Sequence, residues 1–132
     1  MNSPAELLRE MFEEMVLKKD LSRIAHYYSR DFILETNGNI QDYAAFESGH
    51  AKVYPTSIRY DVRYDEATWV ESEDRVAVRL WIKTQRPDEA PVEFEILLIA
   101  SFVDGKIHRV WETTYPDWRQ VKAFDSYSSQ RE

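Results

Sequence analysis

The sequence predicts one α+β domain, with three N-terminal helices packed on the concave face of a cone-shaped, curved antiparallel sheet. Two patterns carry that reading. Apolar residues recur every three or four positions as far as Tyr54, and from Ser57 they alternate with polar ones. Size is the third observation: 132 residues bury a real core but do not make two domains.

The elements follow in order. Ser3-Pro4-Ala5-Glu6 reads as a helix start, with Ser as N-cap, Pro at the first helical position and Glu closing a capping box. Leu7, Leu8, Met11, Phe12, Met15 and Val16 then share one face, and Lys18 and Lys19 suit the helix C-terminus. Asp20 caps a second helix with Leu21, Ile24, Ala25 and Tyr28 inward. A short strand over 32–36 stops at Asn37-Gly38-Asn39. The third helix covers 42–54, with Tyr43, Phe46, His50 and Val53 or Tyr54 on one side, and Pro55 ends it.

Beyond Ser57, Ile58, Tyr60, Val62 and Tyr64 alternate with charged residues. After a turn at Ser72-Glu73-Asp74, Val76, Val78, Leu80 and Ile82 repeat the alternation. A Pro-punctuated loop over 87–91 precedes the run 92–103, which is apolar on both faces across 96–100, as a doubly covered central strand would be. Asp104-Gly105 turns the chain into a last strand over 107–115, stopped by Pro116. Residues 1–118 thus form the domain, and 119–132 a polar, frayed tail.

Composition narrows the function. A net charge of −7 with no basic stripe argues against nucleic acid. The absence of cysteine removes disulfides, thiol nucleophiles and cysteine-ligated metals. His26, His50 and His108 are scattered without close ligand spacing, so neither metal nor cofactor is expected. The acidic start is no signal peptide and no run is long enough to span a membrane, which points to the cytoplasm.

The element order, with Lys19-Asp20-Leu21, Asp31-Phe32-Ile33-Leu34-Glu35, Ala44-Ala45-Phe46 and Phe102-Val103-Asp104-Gly105-Lys106-Ile107, resembles the nuclear transport factor 2-like superfamily. That group includes ketosteroid isomerase and the SnoaL-like polyketide cyclases. The resemblance covers roughly 5–118 and implies a conical cavity between helices and sheet. It also implies where an isomerase would carry its groups: the Tyr position falls on Phe12, the base on Thr36, and the second acid on Leu98 or Ala100. None of these can do that chemistry, so a ketosteroid isomerase mechanism is absent.

Which side chains face the cavity depends on the last hairpin. A three-residue turn at 103–105 pairs Ala100 with His108, Leu98 with Val110 and Ile96 with Glu112; a two-residue turn at Asp104-Gly105 takes His108 off that face. The resemblance favours the first. The concave side then carries Val78, Leu80, Ile82, Phe94, Ile96, Leu98, Ala100, His108, Val110 and Glu112, with Phe12, Tyr28, Phe46, His50 and Tyr54 closing over them. Thr36 is a further candidate for hydrogen-bonding a ligand. Glu112 among apolar neighbours suits a general acid or base, and His50 across the cavity is its one candidate partner. His108 lies about 13 Å along the strand from Glu112 and cannot form a direct dyad with it.

The opposite face collects Trp81, Leu97, Ile99 and Trp111 among charged residues, a composition suited to an interface. Relatives commonly dimerise through this face, and the resemblance implies a homodimer here. Two functions fit. One is an apolar pocket for a small hydrophobic molecule, with or without mild acid/base catalysis of the lyase, isomerase or cyclase kind. The other is a non-enzymatic dimeric module that binds protein through its convex face.

Overall fold

A computed structural model describes residues 2–120; the reading of 121–132 as a tail lies outside the described residues. Helix α1 (Pro4–Met11) begins as its sequence dictates. Ser3 Oγ accepts from the Glu6 amide at 3.2 Å, and the Glu6 carboxylate accepts from the Ser3 amide at 2.9 Å. The chain continues as a π-helical segment, Phe12–Leu17, that keeps Phe12, Met15 and Val16 buried.

Asp20 caps a 3-10 turn, Leu21–Arg23, before a single turn of α2 (Ile24–Tyr27). The inward face predicted for this helix needs correction. Ala25 is exposed, Tyr27 is buried, and Tyr28 takes extended dihedrals and opens strand β1 (Tyr28–Thr36). β1 thus starts four residues before the predicted 32. Asn37 and Gly38 both have positive φ, 50° and 83°, and form a two-residue hairpin to β2 (Asn39–Asp42), a strand the sequence reading did not foresee. Asp42 then caps α3 (Tyr43–Val53) by accepting from the Ala45 amide at 2.9 Å.

The remaining strands are β3 (Arg59–Tyr64), β4 (Val70–Glu71), β5 (Arg75–Gln85), β6 (Val92–Val103) and β7 (Lys106–Tyr115). They form one curved, open sheet in the order β2-β1-β7-β6-β5-β3, with β4 paired to β5. The meander from β3 to β7 is antiparallel, as expected. The addition is β1, which joins β7 in parallel and sets Leu34 beside Val110 and Thr36 beside Glu112. Irregularities in both strands near Tyr28 and Ile107 bend the sheet.

The last hairpin takes the second of the two turns considered from sequence and corrects the favoured pairing of Ala100 with His108. Asp104 and Gly105 take φ of 52° and 75°, so the turn has two residues and Val103 pairs with Lys106. A bulge between Ser101 and Phe102 in the ladder then leaves His108 and Arg109 against Ser101. The extra residue restores the inward facing of Val110 and Glu112, which pair with Ala100 and Leu98. Without it, Ile107 and Val110 could not both be buried, because their spacing is odd.

Alternation along the strands sends Val76, Val78 and Leu80, and Phe94, Ile96, Leu98 and Ala100, into one core with the helices. Arg119, read as tail, is instead held to Asp117 by an ion pair of 2.8 Å.

Asn37 ties β1 to β7 past the end of the ladder. Its backbone amide donates to the Glu112 carbonyl at 3.1 Å, its Oδ1 accepts from the Thr114 amide at 2.9 Å, and its Nδ2 donates to Thr114 Oγ1 at 2.9 Å. Asn37→Ala removes these side-chain bonds and leaves a β-carbon without local compensation in the left-handed region. It is expected to lower stability by about 2–4 kcal/mol in urea unfolding, with Asn37→Asp, which keeps the acceptor, costing less.

Candidate functional site

Short helices cannot fill the whole concave face, and a cavity of about 170 Å³ remains. An apolar cavity of about 150 Å³ is enough to admit benzene, so the space suits a single ring with a short arm. The helical side supplies Leu8, Met11, Phe12 and Met15, then Phe46, His50 and Tyr54. From the sheet come Tyr28, Leu34 and Thr36, Ile82 and Thr84, Phe94, Ile96 and Leu98, and Val110, Glu112 and Thr114.

Nine of the eleven residues predicted as catalytic or ligand-binding candidates therefore line one space: Phe12, Tyr28, Thr36, Phe46, His50, Tyr54, Leu98, Val110 and Glu112. Two do not. Val78 is buried, 3% exposed, and does not border the cavity. His108 sits in the bulge and turns toward Asp31, with Nε2 3.3 Å from the carboxylate. Gln41, Thr84, Thr114 and Trp118 were missed. One more step of the period-2 alternation finds Thr84 and Thr114, whereas Gln41 lies on the unforeseen β2 and Trp118 beyond the last strand.

Glu112 is the one acidic side chain of the lining, which holds neither Lys nor Arg among the described residues. The parallel pairing places Thr36 Oγ1 3.1 Å from its Oε1, to which it donates. Burial pushes the carboxyl up to about 7, and the Thr36 bond only partly opposes this. Some surface remains on Glu112 and His50 because each borders the cavity, yet protein surrounds both. The Glu112 charge also acts on Tyr28, whose hydroxyl is raised first by burial and then by that carboxylate. Tyr28 Oη donates to Met11 Sδ at 3.4 Å, a weak acceptor.

His50 is held differently. Its Nδ1 lies 2.7 Å from the Phe46 carbonyl one helical turn back, so Nδ1 carries the hydrogen and Nε2 is the acceptor in the neutral ring. The ring lies between Phe46 and Tyr54, with centroids at 4.2 and 5.1 Å. Burial lowers it to about 4, against the raising effect of the Phe46 bond. His50 is thus neutral near pH 7 and a weak base, while the Glu112 carboxyl is tuned to exchange protons there. The hydrogen bond of Glu112 goes to Thr36 and not to His50. The Tyr54 hydroxyl is buried without a hydrogen-bond partner among the described residues.

On the convex side Leu97 and Ile99 are 55% and 45% exposed, and Trp111 lies beside them. Trp81 is only half-buried there: the guanidinium carbons of Arg63 and Arg79 stand 4.0 and 4.8 Å from its ring centroid. No three His, Asp or Glu side chains converge to hold a metal, and no helix is long and apolar enough to cross a membrane, among the described residues.

The family model of the SnoaL-like domain matches residues 8–110. No curated protein matches the chain in sequence. Solved structures do match in fold. PrhC from Penicillium brasilianum aligns with a TM-score of 0.71 at 12% identity, over 98% of this chain and 93% of its own. AclR from Streptomyces galilaeus aligns at 0.63 and 24%, over 89% and 95%. A SnoaL-like polyketide cyclase from Agrobacterium tumefaciens aligns at 0.64 and 17%, over the full length of both chains.

The two shifted groups oppose each other in pH. Glu112, raised from 4.5 to about 7, stays protonated in the fold where the unfolded chain has lost the proton, so its contribution falls as pH rises between those values. His50, lowered from 6.5 to about 4, stays neutral where the unfolded chain gains a proton, so its contribution falls as pH drops through that window. Each effect amounts to about 3 kcal/mol and they offset where they overlap. Relative to the parent, Glu112→Gln is expected to make urea stability rise by about 3 kcal/mol from pH 4.5 to 7, and His50→Asn to make it fall by a similar amount from pH 4 to 6.5. Parallel stability–pH curves for all three proteins would contradict both assignments.

Proposed function

The chain belongs to the SnoaL-like domain family, and from that membership we propose that it takes a small hydrophobic molecule into the concave cavity and moves a proton on it through Glu112. The single observation behind this reading is one carboxyl, shifted toward neutrality, in a lining otherwise made of apolar, hydroxyl, amide and neutral imidazole groups. Cyclase, isomerase and lyase reactions share a step in which a proton leaves or joins carbon or oxygen, and a carboxyl with a pKa near the working pH performs it in either direction.

A general probe tests the step. Benzisoxazole opens when a base takes its ring C–H proton as the N–O bond breaks, and a carboxylate in an apolar pocket promotes this. The rate is expected to rise as pH passes through about 7, and Glu112→Gln to reduce it by roughly 10²-fold. Equal rates for parent and variant would remove Glu112 from the chemistry.

The convex face supports a second part of the reading, a homodimer built on Leu97, Ile99 and Trp111 with Trp81 at its edge beneath Arg63 and Arg79. Large aliphatics this exposed on a sheet face are what an isologous contact buries. Sedimentation is expected to give twice the 15.7 kDa chain mass, and Leu97→Asp to return it to one. A single-chain species in the parent protein rejects the homodimer and leaves the face open to a different protein partner.

A further inference from the structure

Glu112 poses a problem of charge. It is enclosed by protein, it has one neutral hydrogen-bond donor in Thr36, and no cation among the described residues pairs with it. A carboxylate buried without a counter-charge costs the fold stability, and glutamine would fill the same space at no such cost. Something absent from the chain itself must make an acid worth keeping there.

The surroundings of the carboxyl suggest what that is. Six aromatic side chains line the cavity: Phe12, Tyr28, Phe46, Tyr54, Tyr60 and Phe94. The face of an aromatic ring attracts a positive charge, and a desolvated cation over one is held more strongly than one in water. The carboxylate accepts only, and an anion would find no positive side chain in the lining.

We propose that the cavity takes a compact cyclic amine, its ammonium group hydrogen-bonded to the Glu112 carboxylate and its ring among the surrounding aromatics. This rests on the cavity being the ligand site, and it narrows the substrate class of that site from hydrophobic molecules in general to cationic ones. The bond that anchors the ammonium is also the path by which a proton passes to the carboxylate. At 170 Å³ the space admits one ring and a one-carbon arm.

Three probes share one ring with a short polar arm and differ in its charge: benzylammonium, benzyl alcohol and benzoate, with toluene as a reference without a polar arm. Titration calorimetry on the full chain at about pH 8, where Glu112 is ionised, is expected to rank benzylammonium about tenfold or more tighter than benzyl alcohol, with benzoate unbound. That advantage should vanish in Glu112→Gln and shrink at about pH 5.5, where the carboxyl is protonated and the amine is still charged. Within the lining no other side chain changes charge between those conditions: His50 is neutral in both, and Tyr28 and Tyr54 are raised. Toluene or benzyl alcohol binding as tightly as benzylammonium overturns the amine and leaves the cavity reading standing. Failure of all four probes to bind overturns both. Retention of the ammonium preference in Glu112→Gln also overturns the assignment, and toluene binding to that variant certifies that it is folded.

Discussion

The pairing of β1 with β7 is the contact on which the site depends. Strands β3, β5, β6 and β7 form a meander that local hairpins can assemble, but β1 comes from the first third of the chain and reaches β7 only when the domain closes. Its parallel register puts Thr36 against Glu112 and Leu34 against Val110, so one interaction both completes the sheet and sets the polar corner of the cavity. Asn37 extends the join beyond the ladder with its side chain, which its left-handed backbone presents to Thr114. A slip of one residue would reverse every facing in β1 and carry Thr36 away from the carboxyl.

Curvature and cavity have the same origin. The bulge at His108 and the irregularity in β1 lie near one another and turn the sheet around the helices. Val76, Val78, Leu80 and Ala100 are buried without bordering the cavity, whereas Thr84, Phe94 and Thr114 line it. Desolvation in that space acts on its two titratable groups in opposite chemical senses, keeping a carboxyl protonated and an imidazole neutral. Both shifts remove charge from an apolar region, and their linkage effects oppose each other in pH.

The periodicities that announced the architecture were strong because each element has one buried face. Ser3 and Glu6, Asp20 and Asp42 marked helix starts that the hydrogen bonds now account for. What was illegible is instructive. β2 has four residues, alternating between half-buried and exposed, and carries no apolar stripe, although Asn37-Gly38 is a hairpin signal in its own right. The bulge at His108 has no compositional mark; the two-residue turn takes His108 off the cavity face, and the bulge keeps Val110 and Glu112 on it. Trp81 read as an open interface residue because sequence shows alternation but not the two arginines, one on β3 and one on its own strand, that cover it. The inner lining was readable to the extent that it follows a two-residue period, and failed where the period breaks.

That dependence on period explains how one short sheet can carry two unrelated surfaces. Along β7, Trp111 and Glu112 are neighbours in sequence and point to opposite sides; along β6, Leu97 and Leu98 do the same. A change on the convex face is therefore one peptide unit from the cavity, yet its side chain never enters it. Because the pleat is rigid once both neighbours are paired, the two faces can vary independently so long as the register holds. The positions that bear on both surfaces are those that hold the register, Asn37 just past the end of β1 and the His108–Arg109 bulge in β7. Asn37, through its bonds to the Glu112 carbonyl and Thr114, and the bulge together hold the facing of both Glu112 and Trp111, so the cavity and the convex face depend on the same few residues.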